Sequence, residues 1–206
     1  SLYILGIFVA ILMAYIFKNT IFKGEKSPFL IELPDYHIPK LKSLTIHLWE
    51  KVKGYIINAG TVIFIASVFL WFILNYNFSG QAELINSFGA SIGKAVTPIF
   101  KPLGFGEWRS VLALITGVIA KEVVVANMNI LFDGNLAQIL PMYFSSLSAY
   151  SYMVFVLLYI PCVATIGVIK RETNSYKWMT FSLIYQLIVA WIFSFVIYQI
   201  GSLVLG

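Results

Sequence analysis

Residues 111–132 read VLALITGVIAKEVVVANMNILF, an apolar run with Lys121 and Glu122 near its middle. A membrane-spanning helix needs about 20 predominantly apolar residues, so the run is long enough to cross a bilayer. Charge at that depth costs roughly 2.5–3.5 kcal/mol per residue on insertion scales, and it requires a compensating partner or a water-filled site. Lys121 and Glu122 are therefore the first functional candidates, with a structural ion pair between helices as the competing explanation.

The rest of the chain agrees with a membrane reading. Of 206 residues, 60% are hydrophobic and 11% charged, and the mean hydropathy is +0.87. Apolar residues gathered into long runs exclude an ordinary soluble domain. A β-barrel strand would alternate apolar and polar residues, which these runs do not. The expected fold class is all-α, a polytopic helical membrane protein with about five spans plus a short half-helix or re-entrant segment.

The formal net charge is +5, but the basic residues cluster beside the apolar runs. Membrane orientation and anionic lipid headgroups explain them better than nucleic acid does. Cys162 is the single cysteine, which excludes an intrachain disulfide. Ser1 stands directly before an apolar run with no basic leader, so the start does not read as a signal peptide and looks like a piece of something longer.

Taken in order, residues 1–22 form the first expected span. Residues 23–53 hold a loop with Pro28, Pro34 and Pro39, followed by a basic amphipathic helix that carries Leu41, Leu44, Leu48, Val52 and Tyr55 at helical spacing. That helix continues into a span at 55–75, with Gly54 and Gly60 as places where it could break. His47 and Glu50, three apart, are read as a solvated interfacial face in preference to a shared metal site. Residues 83–100, rich in small residues and ended by Pro98 and Pro102, fit a half-helix or re-entrant piece. Spans follow at 108–132, 149–169 and 177–205, with a polar loop at 133–148 and a basic loop holding Lys170, Arg171 and Lys177. Positive-inside bias puts the loops 18–53 and 170–177 in the cytoplasm and 75–82 and 133–148 outside, provided 83–107 returns the chain inward.

Two constellations carry chemistry. If 108–132 is one helix, neighbouring residues sit about 100° apart, so Lys121 and Glu122 point in different directions. Glu122 then shares a face with Ala126 and Asn129, Lys121 with Gly117 and Met128, while Thr116, Ala120 and Asn127 share a third. A carboxylate, an amide oxygen and a thioether are plausible ligands for a divalent metal, which makes Glu122, Asn127 and Met128 candidates. The second constellation is Leu158-Tyr159-Ile160-Pro161-Cys162. Pro161 has no N–H, so the carbonyl of Leu157 loses its helical donor and the helix is expected to kink. Cys162 stands beside the kink, and Thr165 follows one turn on. A thiol suits late first-row metals, although a buried cysteine is also an ordinary small hydrophobe. The expected metal ligands are thus Cys162, Glu122, Asn127 and Met128, and the expected gating residues Lys121, Pro161, Thr165 and Thr116. No G-x-x-x-x-G-K-[ST] loop, H-E-x-x-H motif or nucleophile–base set is present in the sequence, so no enzyme activity is expected of it.

These landmarks together resemble the C-terminal membrane region of FeoB-type ferrous iron transporters. The matching positions are Pro28-Phe29, Glu32-Leu33-Pro34 with Tyr36, Trp49-Glu50-Lys51, Ala59-Gly60-Thr61 and Thr116-Gly117. They continue through Ala120-Lys121-Glu122-Val123-Val124-Val125, Tyr159, Pro161-Cys162-Val163-Ala164, Arg171-Glu172 and Tyr198-Gln199. Where the family often has glycine after the Lys-Glu-Val-Val-Val run, this chain has Ala126-Asn127. The resemblance identifies the Pro161-Cys162 stretch with the family's second gate motif. It implies a prokaryotic inner-membrane protein with Fe2+ as the transported substrate and no permanently bound cofactor. It also implies a GTP-binding domain, served by GTP and Mg2+, and a first gate half, both preceding Ser1; this stretch alone is then not expected to transport. A homo-oligomer in the lipid bilayer is compatible with it. Competing readings are a carrier of another solute such as nucleosides, and a non-transporting membrane scaffold.

Overall fold

The computed structural model describes residues 1–21, 40–119, 121, 124–132, 134 and 136–205. The proline-containing loop and Glu122 lie outside them. The described residues are overwhelmingly helical, which agrees with the all-α expectation. They fall into two compact units, Ser1–Ile57 and Asn58–Gly206.

In the first unit, α1 (Leu2–Thr20) presents apolar side chains all round and buries only Val9. Tyr3 and Ile4 are 81% and 71% exposed, an arrangement stable in lipid and unstable in water. At 19 residues α1 is about 28 Å long. The start of α2 (Leu41–Asn75) carries the His47 imidazole 3.9 Å from the exposed Glu50 carboxylate. That pair is a solvated surface contact. The helix runs unbroken past Gly54 and Gly60, so neither glycine breaks it.

The second unit builds the site. After α2 a two-residue hairpin, β1 (Tyr76–Asn77) with β2 (Gly80–Gln81), occupies the polar turn. Gly80 takes φ +116, a conformation open to glycine and strained for other residues. The half-helix expected at 83–100 is α3 (Phe88–Phe100), only 13 residues long, or about 20 Å. Ser87 caps it by accepting from Ala90 N, and Lys94 reaches back to Ile85 O. Pro98 and Pro102 remove N–H groups at its far end, and α9 (Tyr176–Leu205) covers the exposed carbonyls there. Trp191 Nε1 donates to Ile99 O at 3.1 Å, and Gln199 Nε2 to Pro102 O at 3.0 Å. Replacing Gln199 with leucine leaves the Pro102 carbonyl without that donor. The expected loss is about 1–3 kcal/mol, read as a lowered melting temperature in detergent.

The run 108–132 is not one helix. It divides into α4 (Trp108–Gly117) and α5 (Val124–Leu131). The faces assigned to Lys121 and Glu122 from continuous helical geometry do not apply, since Lys121 lies between the two pieces. Residues 133–148 also differ from the expected polar loop: they contain α6 (Leu136–Tyr143) and the first turn of α7 (Ser146–Leu158). Leu136, Ile139 and Leu140 give α6 an apolar face, and all three pack on the core. The second broken helix is α7 followed by α8 (Val163–Thr173). Lys170 and Arg171, expected in a loop, form the last turn of α8, where cations complement the helix dipole; Asn174 at φ 45 then ends it.

Among the described residues, α1 and α9 are each long and apolar enough to cross a membrane unaided. The pair α6 and α7, bent by 107°, is a third candidate. The core lies where α3, α4, α7 and α9 meet. Phe155 stands edge-on to Phe100 at 5.2 Å, and Tyr152 edge-on to Phe105 at 5.1 Å, a geometry that aromatic quadrupoles favour. Small residues let α7 and α9 approach closely: Ser151 Oγ donates to Ser194 O, and Leu147 packs over Gly201.

Candidate metal-transport site at two helix breaks

The two discontinuities face each other. On one side, α4 ends at Gly117, and Val118 and Ile119 turn back onto the carbonyls of Ile115 and Thr116. On the other, α7 ends at Leu158, Tyr159 has an extended ψ of −178°, and Cys162 is the N-cap of α8. The break in α7–α8 follows directly from Pro161, which can neither donate to Leu157 O nor allow Ile160 a helical backbone without strain. The break after Gly117 has no proline to announce it.

Backbone groups freed on one side are taken up by the other. Val163 N donates to Val118 O at 3.1 Å, so it is not available to Tyr159 O, its partner in a continuous helix. Leu157 O and Tyr159 O are thus both without their helical donors. The ammonium of Lys121 supplies them, donating to Leu157 O at 2.9 Å and to Tyr159 O at 3.3 Å. It also stands 5.0 Å from the centre of the Tyr159 ring, in cation–π range. The position matches the negative end of the α7 dipole.

Tyrosines fix the distance between the broken helices. Tyr152 OH donates to Ser110 O at 3.2 Å, and Tyr159 OH to Leu114 O at 3.4 Å. The two tyrosines are seven residues apart, on α7 and at its C-cap, and the two carbonyls four apart on α4, so the contacts run along the crossing. Gly117 lets the Tyr159 hydroxyl and Val124 close over it: a Cβ there would stand 2.7 Å from Tyr159 OH and overlap Val124 Cγ2.

The residues singled out in the sequence are distributed around this junction. Cys162 is half-buried, its Sγ 3.3 Å from the Thr165 hydroxyl one turn into α8 and within electrostatic range of the Lys121 ammonium. Asn127 Nδ2 donates to Thr116 Oγ1 at 2.8 Å, and Thr116 donates in turn to Ala113 O at 3.0 Å. That pair braces α5 against α4 across the break. Met128 is 4% exposed inside the apolar cluster with Leu131 and Phe132, so its thioether faces hydrocarbon neighbours. Among the described residues no group of three or more His, Cys, Asp and Glu side chains could hold a metal. What the junction offers a cation is one sulfur, backbone carbonyls and a ring face. Sequence reasoning named Pro161 and the Leu157 carbonyl but missed the Tyr159 carbonyl, whose release depends on a long-range bond from Val163.

Comparison with known proteins places the chain. Residues 1–51 match the family described as "Ferrous iron transport protein B C terminus", and residues 56–176 match the Gate family, described as "Nucleoside recognition". A protein of Staphylococcus aureus named "Fe(2+) transporter FeoB" is 41% identical over 98% of this chain and 31% of its own length. Proteins of the same name from Methanocaldococcus jannaschii and Salmonella paratyphi A are 40% and 35% identical, each over 98% of this chain and 32% and 34% of their own lengths. The chain thus spans about a third of the length of the curated relatives it matches. No solved structure matches it. With the two family matches in order along nearly its whole length, the chain belongs to the FeoB-type transporter family, at the position of its C-terminal, gate-containing membrane region.

Proposed function

We propose that this chain is the second gate-containing half of a ferrous iron permease and that Fe2+, as cargo, passes the junction of the two helix breaks. The observation that carries the reading is that junction, in a chain whose relatives are named Fe(2+) transporters: two broken helices leave carbonyls and one thiol beside each other. Discontinuous helices are a recurrent way to place ion-binding groups at membrane depth. Fe2+ must shed part of its water shell to pass, and carbonyl oxygens with a Cys162 thiolate replace the lost ligands. Glu122 contributes the carboxylate that offsets the ion's charge. Asn127, joined to Thr116, lines the approach, Met128 packs in the apolar core behind it, and Pro161 and Thr165 set where Cys162 stands.

The crossings of this arrangement are α1, α2, α7 with α8, and α9, with α3 as the half-helix. Residues 146–173 are long enough for a hydrocarbon core of about 30 Å, whereas α5 folds back on α4, Asn127 meeting Thr116 eleven residues earlier, so 108–131 is a re-entrant pair. The remaining two thirds of the transporter supply the first gate half and a GTP-binding domain, in the inner membrane of a prokaryote.

Radioactive iron uptake into iron-starved cells tests the assignment. In the full-length protein, Cys162→Ser and Glu122→Gln are each expected to lower uptake at least tenfold at equal expression. Uptake at the wild-type rate in both variants would remove these residues from the path. The description of the Gate family favours one second reading, a nucleoside carrier, which predicts that added nucleosides compete with the cargo.

A further inference from the structure

The Lys121 ammonium occupies a place built for a cation. Its two acceptors, Leu157 O and Tyr159 O, lost their helical donors for separate reasons: Pro161 has no N–H, and the Val163 N–H is held by Val118 O. A third attraction comes from the Tyr159 ring, and the Cys162 sulfur is within electrostatic range. Carbonyl oxygen, a π face and sulfur attract a divalent metal as they attract an ammonium. Two cations held a few ångströms apart repel each other even at the intermediate dielectric of a half-buried site, so they do not share these oxygens. Lys121 also lies between α4 and α5, outside both helices, on a flexible four-carbon stem, so its head can leave without unwinding either one.

We propose that Lys121 is a tethered cation plugging the carbonyl site at the α7–α8 break, and that it must withdraw before a divalent metal binds there. This rests on the permease reading above and adds its regulation: the resting site is self-occupied, and metal entry is a displacement. A plug seated nine-tenths of the time weakens the apparent metal affinity roughly tenfold.

The test uses the full-length transporter reconstituted in nanodiscs, with Co2+ binding measured by calorimetry and anaerobic Fe2+ influx measured in proteoliposomes. Lys121→Ala and Lys121→Met are expected to bind Co2+ roughly tenfold more tightly than wild type. Ethylammonium, which mimics the missing head group, is expected to restore the weaker affinity in Lys121→Ala and to leave wild type unchanged. Unchanged or weaker Co2+ binding in both variants overturns the plug, as does indifference of Lys121→Ala to ethylammonium. If the amine competes but wild type carries no Fe2+, the plug stands and the iron-permease reading falls. If Fe2+ is carried and the variants bind Co2+ like wild type, the permease reading stands and the plug falls.

Discussion

Replacing Gly117 with alanine is expected to lower the melting temperature by roughly 2–12 °C and to abolish most uptake. Overpacking a close contact costs about 1–3 kcal/mol, and each kcal/mol moves a chain of this size by about 2–4 °C. The new methyl would overlap Val124 Cγ2 and stand 2.7 Å from Tyr159 OH. Neither neighbour gives way easily. Val124 is β-branched and 1% exposed, and Tyr159 is held at its hydroxyl by Leu114 O and over its ring by Lys121. Moving Tyr159 therefore moves the carbonyl site as well. Gly167, in α8, is the control: a Cβ there meets nothing within 4 Å. Gly167→Ala is expected to leave uptake intact and to raise stability by roughly 0.5–1 kcal/mol through helix propensity. Equal melting temperatures for the two variants would show that the junction is not packed as described.

The second large effect is expected from Pro161→Ala. Alanine supplies an N–H for Leu157 O and removes a residue that costs about 3 kcal/mol inside a helix, so α7 and α8 are expected to join. Val163 N then returns to Tyr159 O and abandons Val118 O, and Lys121 loses both acceptors. Stability is expected to hold or rise while uptake falls at least tenfold. That combination separates a functional break from a structural one, since a merely structural proline would be replaced with no loss of transport. Hydrogen exchange supplies the local readout: the Val163 amide is expected to become as protected as the mid-helix amides of α7. Uptake at the wild-type rate from this variant would mean that the break in α7–α8 does not form the path.

Much of this was present in the residues themselves. The apolar runs read as spans at 1–22 and 177–205 can be stable only in lipid, and the ends of α1 and α9 fall within about two residues of those bounds. Proline chemistry is local, so the break after Leu158 and the orphaned Leu157 carbonyl are readable without any neighbour. The short α3 is legible only in part: it runs through Pro98 and stops at Phe100, shortly before Pro102. The discontinuity after Gly117 is different. VLALITGVIAKEVVVANMNILF contains no proline and only one glycine, and by local propensity it reads as one helix. Its division depends on contacts from far along the chain: Tyr159 over Gly117, Val163 N on Val118 O, and Lys121 drawn to carbonyls 36 and 38 residues away. Sequence alone determined that a charge lies deep in an apolar run and that a proline breaks a second helix. Only the tertiary structure decided that the two features meet, because a backbone group freed by local chemistry can be satisfied by whichever donor the fold brings to it.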